Sequence, residues 1–559
     1  TVSARNAAGT ALLYPYEQYY DAENGHNLVL TLNTNVQLSL ENGLESMLKK
    51  YGAKNGGTGI VMDVNSGAIV AMASYPNYDL NDYGTIFDDA LKTKLDTELA
   101  KIDAKRSTYE SEEAYAEARS AAINSAVQSQ WRNKCIDSTY EPGSTYKPIT
   151  LAAALEEGKV TKNSTFYCSG STRVQGWNKA IYCSNHSGHG QQTLIEAVGH
   201  SCNPAFISMG LSVGTETYYK YLKSFGLMDK TGIDMIGEVK GIFQDEKSFN
   251  SQVVSLASYS FGQTFNVTPI ELIRAQAACV NGGYLYTPHF AKQITDSDGN
   301  VIWQHDDTPV RQVISEETSA TVRECLEYVV ASGTGKNGQV AGYRIGGKTG
   351  TADKGQTGDV VVSFLCFAPA DDPQIMMLIT MDTPSRSTGT YVSGGNMVAP
   401  TASHIMEEIL PYLGIEPSYS AEELMGVDTT VPNVIGMSVD EAKDRLKERG
   451  FACKVEGDGE TITDQTPVGG AIIPGKSTVV LYAGAEKSDK MCKVPSLLGC
   501  TAAQANTIAA NAGLLIRFTG TTSSESSTVL VFSQDLESGT EVPAGTVITV
   551  RLGDTTVRD

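Results

Sequence analysis

The sequence predicts an α+β fold: an antiparallel sheet flanked by helices, with two small α+β units after it. Three observations lead there. One hairpin pattern early in the chain and three strand patterns late in it enclose a long, mainly helical middle, the sequence layout of a sheet with helices packed on it. Beyond residue 430 the chain repeats itself, as an array of similar units does. The length of 559 residues, 41% of them hydrophobic and 19% charged, provides core for several ordinary globular domains.

Residues 1–35 read as the tail of a preceding domain and enter "LVLTLN" as a short strand. "NVQLSLENGLESMLKKYG" has helical periodicity and a glycine stop. "TGIVMDVNSGAIVAMASYP" reads as two apolar strands about the turn Asn65-Ser66-Gly67. Residues 84–132 are polar, rich in Ala, Glu and Lys and poor in turn formers, which predicts a helical insertion lying on the surface. From Ser144 to about 290 the signals are helical, broken by a Cys/Gly/His-rich loop at 163–190. "YRIGGKTGTA", "VVVSFLCFAPA" and "QIMMLITMD" are the late strands. The main domain is thus expected at 36–413 and a linker at 414–430. In the repeats, "VPNVIGMSVDEAKDRLKERGF" aligns with "VPSLLGCTAAQANTIAANAGL", and "DQTPVGGAIIPGKSTVVLYAG" with "SQDLESGTEVPAGTVITVRLG". Each is one helix on a small sheet, at 431–485 and 493–553.

A formal charge of −21, spread along the chain, excludes a nucleic-acid binder, which needs basic clusters, and disfavours anionic lipid surfaces. No apolar run reaches the roughly 18 residues of a membrane span, and the sequence starts at Thr1 without a signal-like segment. Ten cysteines in a chain this long do not make a disulfide scaffold.

The chemistry is carried by "EPGSTYKPIT", where Ser144 precedes Lys147 by three residues at a helix start. Residues so spaced share a helix face, and the helix N-terminus favours negative charge developing on the hydroxyl. To take a proton the lysine must be neutral, and burial together with a second cation favours that form. The sequence therefore predicts another lysine close in space. Ser201-Cys202-Asn203 supplies S-x-N and Lys348-Thr349-Gly350 supplies K-T-G, in the order that accompanies S-x-x-K in serine acyltransferases of this kind. Each motif has a decoy, at Ser46–Lys49, Ser248–Asn250 and Lys230–Gly232. Context separates them: Ser46 lies inside a helix, and Lys230 leads into no pair of buried strands.

"YEPGSTYKPIT", "GHGQQTLIEAVGHSCNPAF", "TPIELIRAQAACVNGG" and "GGKTGTA" together resemble a class B penicillin-binding protein, with the penicillin-binding/β-lactamase-like transpeptidase fold. The repeats resemble PASTA domains, a pairing typical of the division and sporulation branch, and residues 1–35 resemble the end of the family's N-terminal pedestal (dimerisation) domain. The resemblance implies a peptidoglycan D,D-transpeptidase that acts on stem peptides and is acylated by β-lactam antibiotics. Ser144 would be the nucleophile and Lys147 its base, with Ser201 relaying the proton and Asn203 orienting lysine and substrate. Lys348, Thr349 and Thr351 would hold the donor carboxylate, backbone amides of Ser144 and Thr351 would form the oxyanion hole, and Gly350 would let substrate lie along the strand. It also implies a membrane glycosyltransferase partner and an anchored location outside the cytoplasm. Two other classes share the motifs: a hydrolase (D,D-carboxypeptidase or β-lactamase), which needs an activated water, and a non-catalytic β-lactam sensor or wall-binding scaffold.

Cys168, Cys183, His189 and Cys202 have the ligand types and number of a structural zinc site. If Ser201 and Asn203 face the cleft, Cys202 faces away toward that loop, where a metal would hold the S-x-N segment. A Cys168–Cys183 disulfide, unlinked thiols, or His186 or His200 in place of His189 are the alternatives. The few aromatics of the repeats fall at strand-like core positions, so a structural or docking role competes with ligand binding.

Overall fold

The early hairpin and the three late strands join in one five-stranded antiparallel sheet. A computed structural model describes residues 25–355, 358–417, 428–475, 477–485, 491–521 and 528–557. The strand order is Gly346–Asp353, Val360–Ala368, Ile375–Asp382, Gly57–Asp63, Ile69–Tyr75. Gly346–Asp353, which carries the K-T-G motif, is therefore an edge strand, with Lys348 opposite Leu365 and Gly350 opposite Ser363.

Both faces of the sheet are covered, so its central strands are buried and mostly apolar on both sides instead of alternating apolar with polar residues. Val362, Phe364 and Cys366 pack into a core with Leu40 and Leu44 of the helix Thr34–Tyr51 and Ile405 and Ile409 of the helix Ala399–Tyr412. Their neighbours Leu365 and Phe367 point the other way, into a core shared with the helices Lys147–Glu156, Pro269–Val280 and Glu316–Ala331. Asn33 caps the first helix through the amides of Asn35 and Val36, and Gly52, at φ +56°, ends it.

The strand Asn27–Leu30 does not join this sheet. It pairs with Ala291–Thr295, which pairs in turn with Val301–Gln304. The pedestal reading rests mainly on residues 1–24, which lie outside the described residues. The expected insertion is two helices, Asp89–Ala104 and Glu112–Gln130, capped by Asp88 and Ser111, with Val127 and Gln130 their buried residues. At the linker, 418–427 lies outside the described residues, but Asp428–Thr430 pairs with Ile472–Pro474. The first repeat thus begins a few residues before the Val-Pro that marked it in the sequence.

Each repeat has its own apolar core, one around Leu446 and Leu481 and the other around Ala505 and Val550. A glutamine at the same place in both, buried in the first and half-buried in the second, ties the Val-Pro loop down. Gln465 accepts from Val434 N and donates to Pro432 O and Pro467 O. Gln534 accepts from Leu497 N and donates to Pro495 O and Leu536 O. Capping boxes start both helices, Ser438 with Glu441 and Thr501 with Gln504.

Candidate active site

Pro142-Gly143 turns the chain sharply into a single 3₁₀ turn, Gly143–Tyr146, that runs into the helix Lys147–Glu156. Gly143 sits at φ +55°, and a Cβ there would lie 2.9 Å from Thr351 O, so only glycine lets this turn press against the edge strand. Gly143 N donates to Gly262 O, and Gln276 Nε2 to Thr145 O, which fixes the turn from behind. Ser144 is half-buried, and no hydrogen bond among the described residues reaches its hydroxyl. Lys147 is fully buried.

The three motifs converge. Lys147 Nζ donates to Ser201 O at 2.7 Å, Ser201 Oγ at 3.0 Å and Asn203 Oδ1 at 2.7 Å. Lys348 Nζ, also fully buried, donates to the same Ser201 Oγ at 2.9 Å and to Thr349 O at 3.1 Å. Two amines on one buried hydroxyl meet the requirement for a second cation beside the base. Ser201 stands between the helices Leu194–Gly199 and Asn203–Val213 at φ 53°. A left-handed non-glycine residue costs on the order of 1–3 kcal/mol and is commonly kept where a side chain must be aimed. Asn203 Nδ2 donates to Tyr182 O, which ties the motif to the Cys/His loop, and the Lys147 ammonium lies 5.2 Å over the Phe206 ring.

On the edge strand the alternation divides the K-T-G-T residues. Lys348 reaches Ser201, while Thr349 Oγ1 donates to Thr334 Oγ1 and Thr351 Oγ1 accepts from Gly394 N. Gly350 differs from expectation in its reason. A Cβ there would meet Ser363 Oγ at 2.5 Å and Thr145 Cγ2 at 2.9 Å, so its bareness lets the serine turn pack on the strand. Thr334 and the segment Gly394–Val398 escaped sequence reasoning; the glycines flanking each were the only signal.

The decoy motifs stay apart from this cluster. Lys49 pairs with Glu45, Thr231 hydrogen-bonds Glu238, and Phe249 fills the core between Ser248 and Asn250.

Behind Ser201, the metal-binding atoms of Cys168, Cys183, His189 and Cys202 lie within 4.8 Å of one another, and Cys202 faces away from the cleft as its position requires. All ten cysteines are unlinked. His186 is exposed against Tyr182, and His200 stacks on His189 at 4.7 Å while bonding Gln192, so His189 is the imidazole in the cluster. The hydrogen bond from Cys202 pulls the Cys183 thiol down to about 3 and pushes Cys202 up, and Cys183 also meets His189 Nδ1 at 3.6 Å. Three thiols and an imidazole are the donor types that a tetrahedral structural zinc takes.

A half-buried serine at a helix start, two buried lysines on one neighbouring hydroxyl and an edge strand beside them form an arrangement suited to serine acyl transfer. A family model for the penicillin-binding protein transpeptidase domain matches residues 57–407, and one for the PASTA domain matches 429–485 and 493–554. The chain belongs to this family: it is a penicillin-binding protein whose catalytic domain is a peptidoglycan D,D-transpeptidase. It is similar to stage V sporulation protein D of Bacillus subtilis (strain 168), 36% identical over 85% of this chain and 68% of the relative. It is also similar to peptidoglycan D,D-transpeptidase FtsI of Escherichia coli (strain K12), 26% identical over 71% of this chain and 58% of that protein. The chain thus spans about two thirds of the first relative and less of the second. In fold it resembles penicillin-binding protein 2X from Streptococcus thermophilus, with TM-score 0.58 at 20% identity over 99% of this chain and 75% of that one.

Proposed function

We propose that this chain cross-links peptidoglycan stem peptides through an acyl-enzyme on Ser144. The observation that carries the residue roles is the meeting of Lys147 and Lys348 on Ser201 Oγ. Ser144 Oγ attacks the penultimate D-Ala carbonyl and gives its proton to Lys147. The C–N bond to the terminal D-Ala then breaks, and Ser201 passes that proton to the leaving amine. The amine of a second stem peptide attacks the ester and releases Ser144 with the cross-link formed. Thr349, Thr351 and Lys348 face the donor's carboxylate, Asn203 holds Lys147, and the amides of Ser144 and Thr351 take the oxyanion, where each donor stabilises by about 3 kcal/mol. The donor lies along the outer edge of Gly346–Asp353 as an added strand.

Cys168, Cys183, His189 and Cys202 would hold a structural zinc, which would anchor Cys202 and hence the residues on either side of it. The chain works on the extracytoplasmic face of the bacterial membrane, in sporulation or division, with a glycosyltransferase making the glycan. Among the described residues no helix is long and apolar enough to cross a membrane.

The test is a donor peptide ending in D-Ala-D-Ala, offered with and without an amine acceptor, alongside a labelled penicillin. The label is expected on Ser144 and the acyl group on the acceptor. Release to water alone assigns a carboxypeptidase, loss of the label within seconds a β-lactamase, and labelling at another residue overturns the reading.

A further inference from the structure

The hairpin beside Asn203 carries charge of the opposite sign to the chain as a whole. Between Glu157 and Glu196 the sequence has no acidic residue, yet it holds Lys159, Lys162, Arg173 and Lys179 within a formal charge of −21. Ser171-Thr172 pairs with Ile181-Tyr182, and the turn between them presents Arg173, Trp177 and Lys179, all exposed. Val174 anchors this turn in the main core, Trp177 N donates to Val174 O, and Gly176 lies against Val254. Lys162 pairs with Glu324, but among the described residues no ion pair or hydrogen bond reaches the side chain of Arg173 or Lys179. Ahead of Val254 in the chain, Asp245 is bonded to Ser248 and Glu246 to Lys223, so those carboxylates are already engaged.

The hairpin reaches the cleft through Tyr182. Tyr182 O accepts from Asn203 Nδ2 at 3.0 Å, and Asn203 Oδ1 accepts from Lys147 Nζ at 2.7 Å. The Tyr182 ring, 60% exposed, packs on His186 at 5.3 Å. At about 3.3 Å per residue, the backbone of Lys179 stands within about 10 Å of Tyr182, and Arg173 lies two residues past Ser171, the partner of Tyr182. A chain of negative charge repels an anionic substrate, and two cations at the point of entry offset that field locally. The planar guanidinium of an arginine takes a carboxylate in a two-pronged grip, and an exposed indole gives broad contact at low entropic cost. In the transpeptidase reading the donor's terminal carboxylate is held on the K-T-G side, with Asn203 on the facing wall. The stem residues ahead of D-Ala-D-Ala, which carry carboxylates of their own, then pass along that wall toward Tyr182.

We propose that the hairpin 171–182 binds the stretch of stem peptide that precedes D-Ala-D-Ala, with Arg173 and Lys179 on a carboxylate of that stretch and Trp177 against its aliphatic part. The proposal rests on the transpeptidase reading of the cleft and names the part of the donor that the motif residues leave uncontacted. A membrane of anionic lipid is the other partner that two cations and an indole suit. The hydrogen bond from Asn203 to Tyr182, which sets the hairpin at the cleft wall, favours the peptide.

The experiment measures binding without turnover, on the whole chain carrying Ser144→Ala. Two synthetic pentapeptides ending in D-Ala-D-Ala are titrated, identical except that the second residue carries a free carboxylate in one and its amide in the other. The carboxylate form is expected to bind about three- to tenfold tighter at low salt, the worth of two exposed ion pairs, and to lose most of that lead at 1 M salt. Adding Arg173→Gln and Lys179→Gln should erase the preference and leave the affinity for the amide form unchanged, with an unaltered melting temperature showing the chain folded. Trp177→Ala should weaken both peptides alike. Equal affinities for the two peptides, no binding of either at millimolar concentration, or a preference that survives the double glutamine change overturns the proposal. Binding to anionic phospholipid vesicles that needs Arg173 and Lys179, without a preference between the peptides, assigns the hairpin to a membrane and overturns it too. Failure here leaves the labelling of Ser144 by penicillin untouched, whereas failure of the transpeptidase reading appears in that labelling and in the fate of the acyl group.

Discussion

The cleft and the seam beneath the second repeat both bury hydrogen-bonding side chains, but they satisfy them differently. In the cleft Lys147 and Lys348 crowd a single hydroxyl held by a strained residue, while the Ser144 hydroxyl is left open. In the seam the partners are fully matched. Asn337, 1% exposed, donates to Gly395 O and Asp554 O and accepts from Asp554 N and Thr521 Oγ1. Arg551 donates to Ser403 Oγ and Glu407 Oε2 across the same boundary. In the cleft two cations share one hydroxyl and the Ser144 hydroxyl has no hydrogen bond among the described residues, whereas in the seam donors and acceptors are matched one to one. The two repeats sharpen the point. Tyr482 occupies in the first the place that Arg551 occupies in the second, so one fold carries a core residue there in one copy and a docking residue in the other.

The largest effect expected is at Ser144. Ser144→Ala removes the nucleophile and should abolish acylation by labelled penicillin, with a rate loss on the order of 10⁶-fold as for other serine nucleophiles. An unchanged melting temperature would show that an open group in the cleft contributes chemistry and not stability. Lys348→Met should follow, slowing acylation by about 10²–10⁴-fold, the range of acid–base groups. Its pH–rate profile should move to higher pH, because one ammonium no longer disfavours another. A rate loss without that shift would assign Lys348 to substrate binding alone.

How far the sequence led differs between these regions in the same way. The cleft was legible because Ser144, Ser201 and Lys348 belong to spaced motifs, and the sheet because Val360–Ala368 and Ile375–Asp382 are strand-length, mostly apolar runs. The repeats were legible from their self-similarity. The seam was not: Asn337 and Arg551 belong to no motif, and their pairing spans 217 residues in the case of Asp554. Gly350 was recognised, but its reason was not, since a neighbour such as Thr145 becomes visible only once the turn is packed on the strand.

Arg551→Tyr gives the second repeat the residue of the first. It should leave that repeat folded but weaken the seam by about 1.5–3 kcal/mol, the worth of a hydrogen bond to a charged group. Faster amide exchange at Gly394–Val398 and easier proteolytic release of the repeats would report it, Asn396 Nδ2 being bonded to Val557 O there. Acylation should fall by less than about tenfold, 1.4 kcal/mol, because the hydrogen bonds of Arg551 go to Ser403, His404 and Glu407 and not to the cleft residues. A larger loss would join the two regions into one unit.

The smallest effect concerns a buried group that holds structure at an electrostatic cost. Glu271 caps its helix through Thr268 N and also accepts from Gly241 N, yet burial, with a contribution from Glu238, pushes its carboxyl up to about 7. Unfolded, it would titrate near the ordinary value of about 4.3. Between those values the folded chain binds the extra proton, so this group's stabilisation is complete below about pH 4 and is lost as pH rises through 7. Melting temperatures from pH 5 to 8 should therefore fall more steeply for the native chain than for Glu271→Gln, whose amide still caps but never charges. Parallel curves would mean that the donors around Glu271, Thr268 N, Thr268 Oγ1 and Gly241 N, outweigh its burial, and it would then belong with the matched groups of the seam.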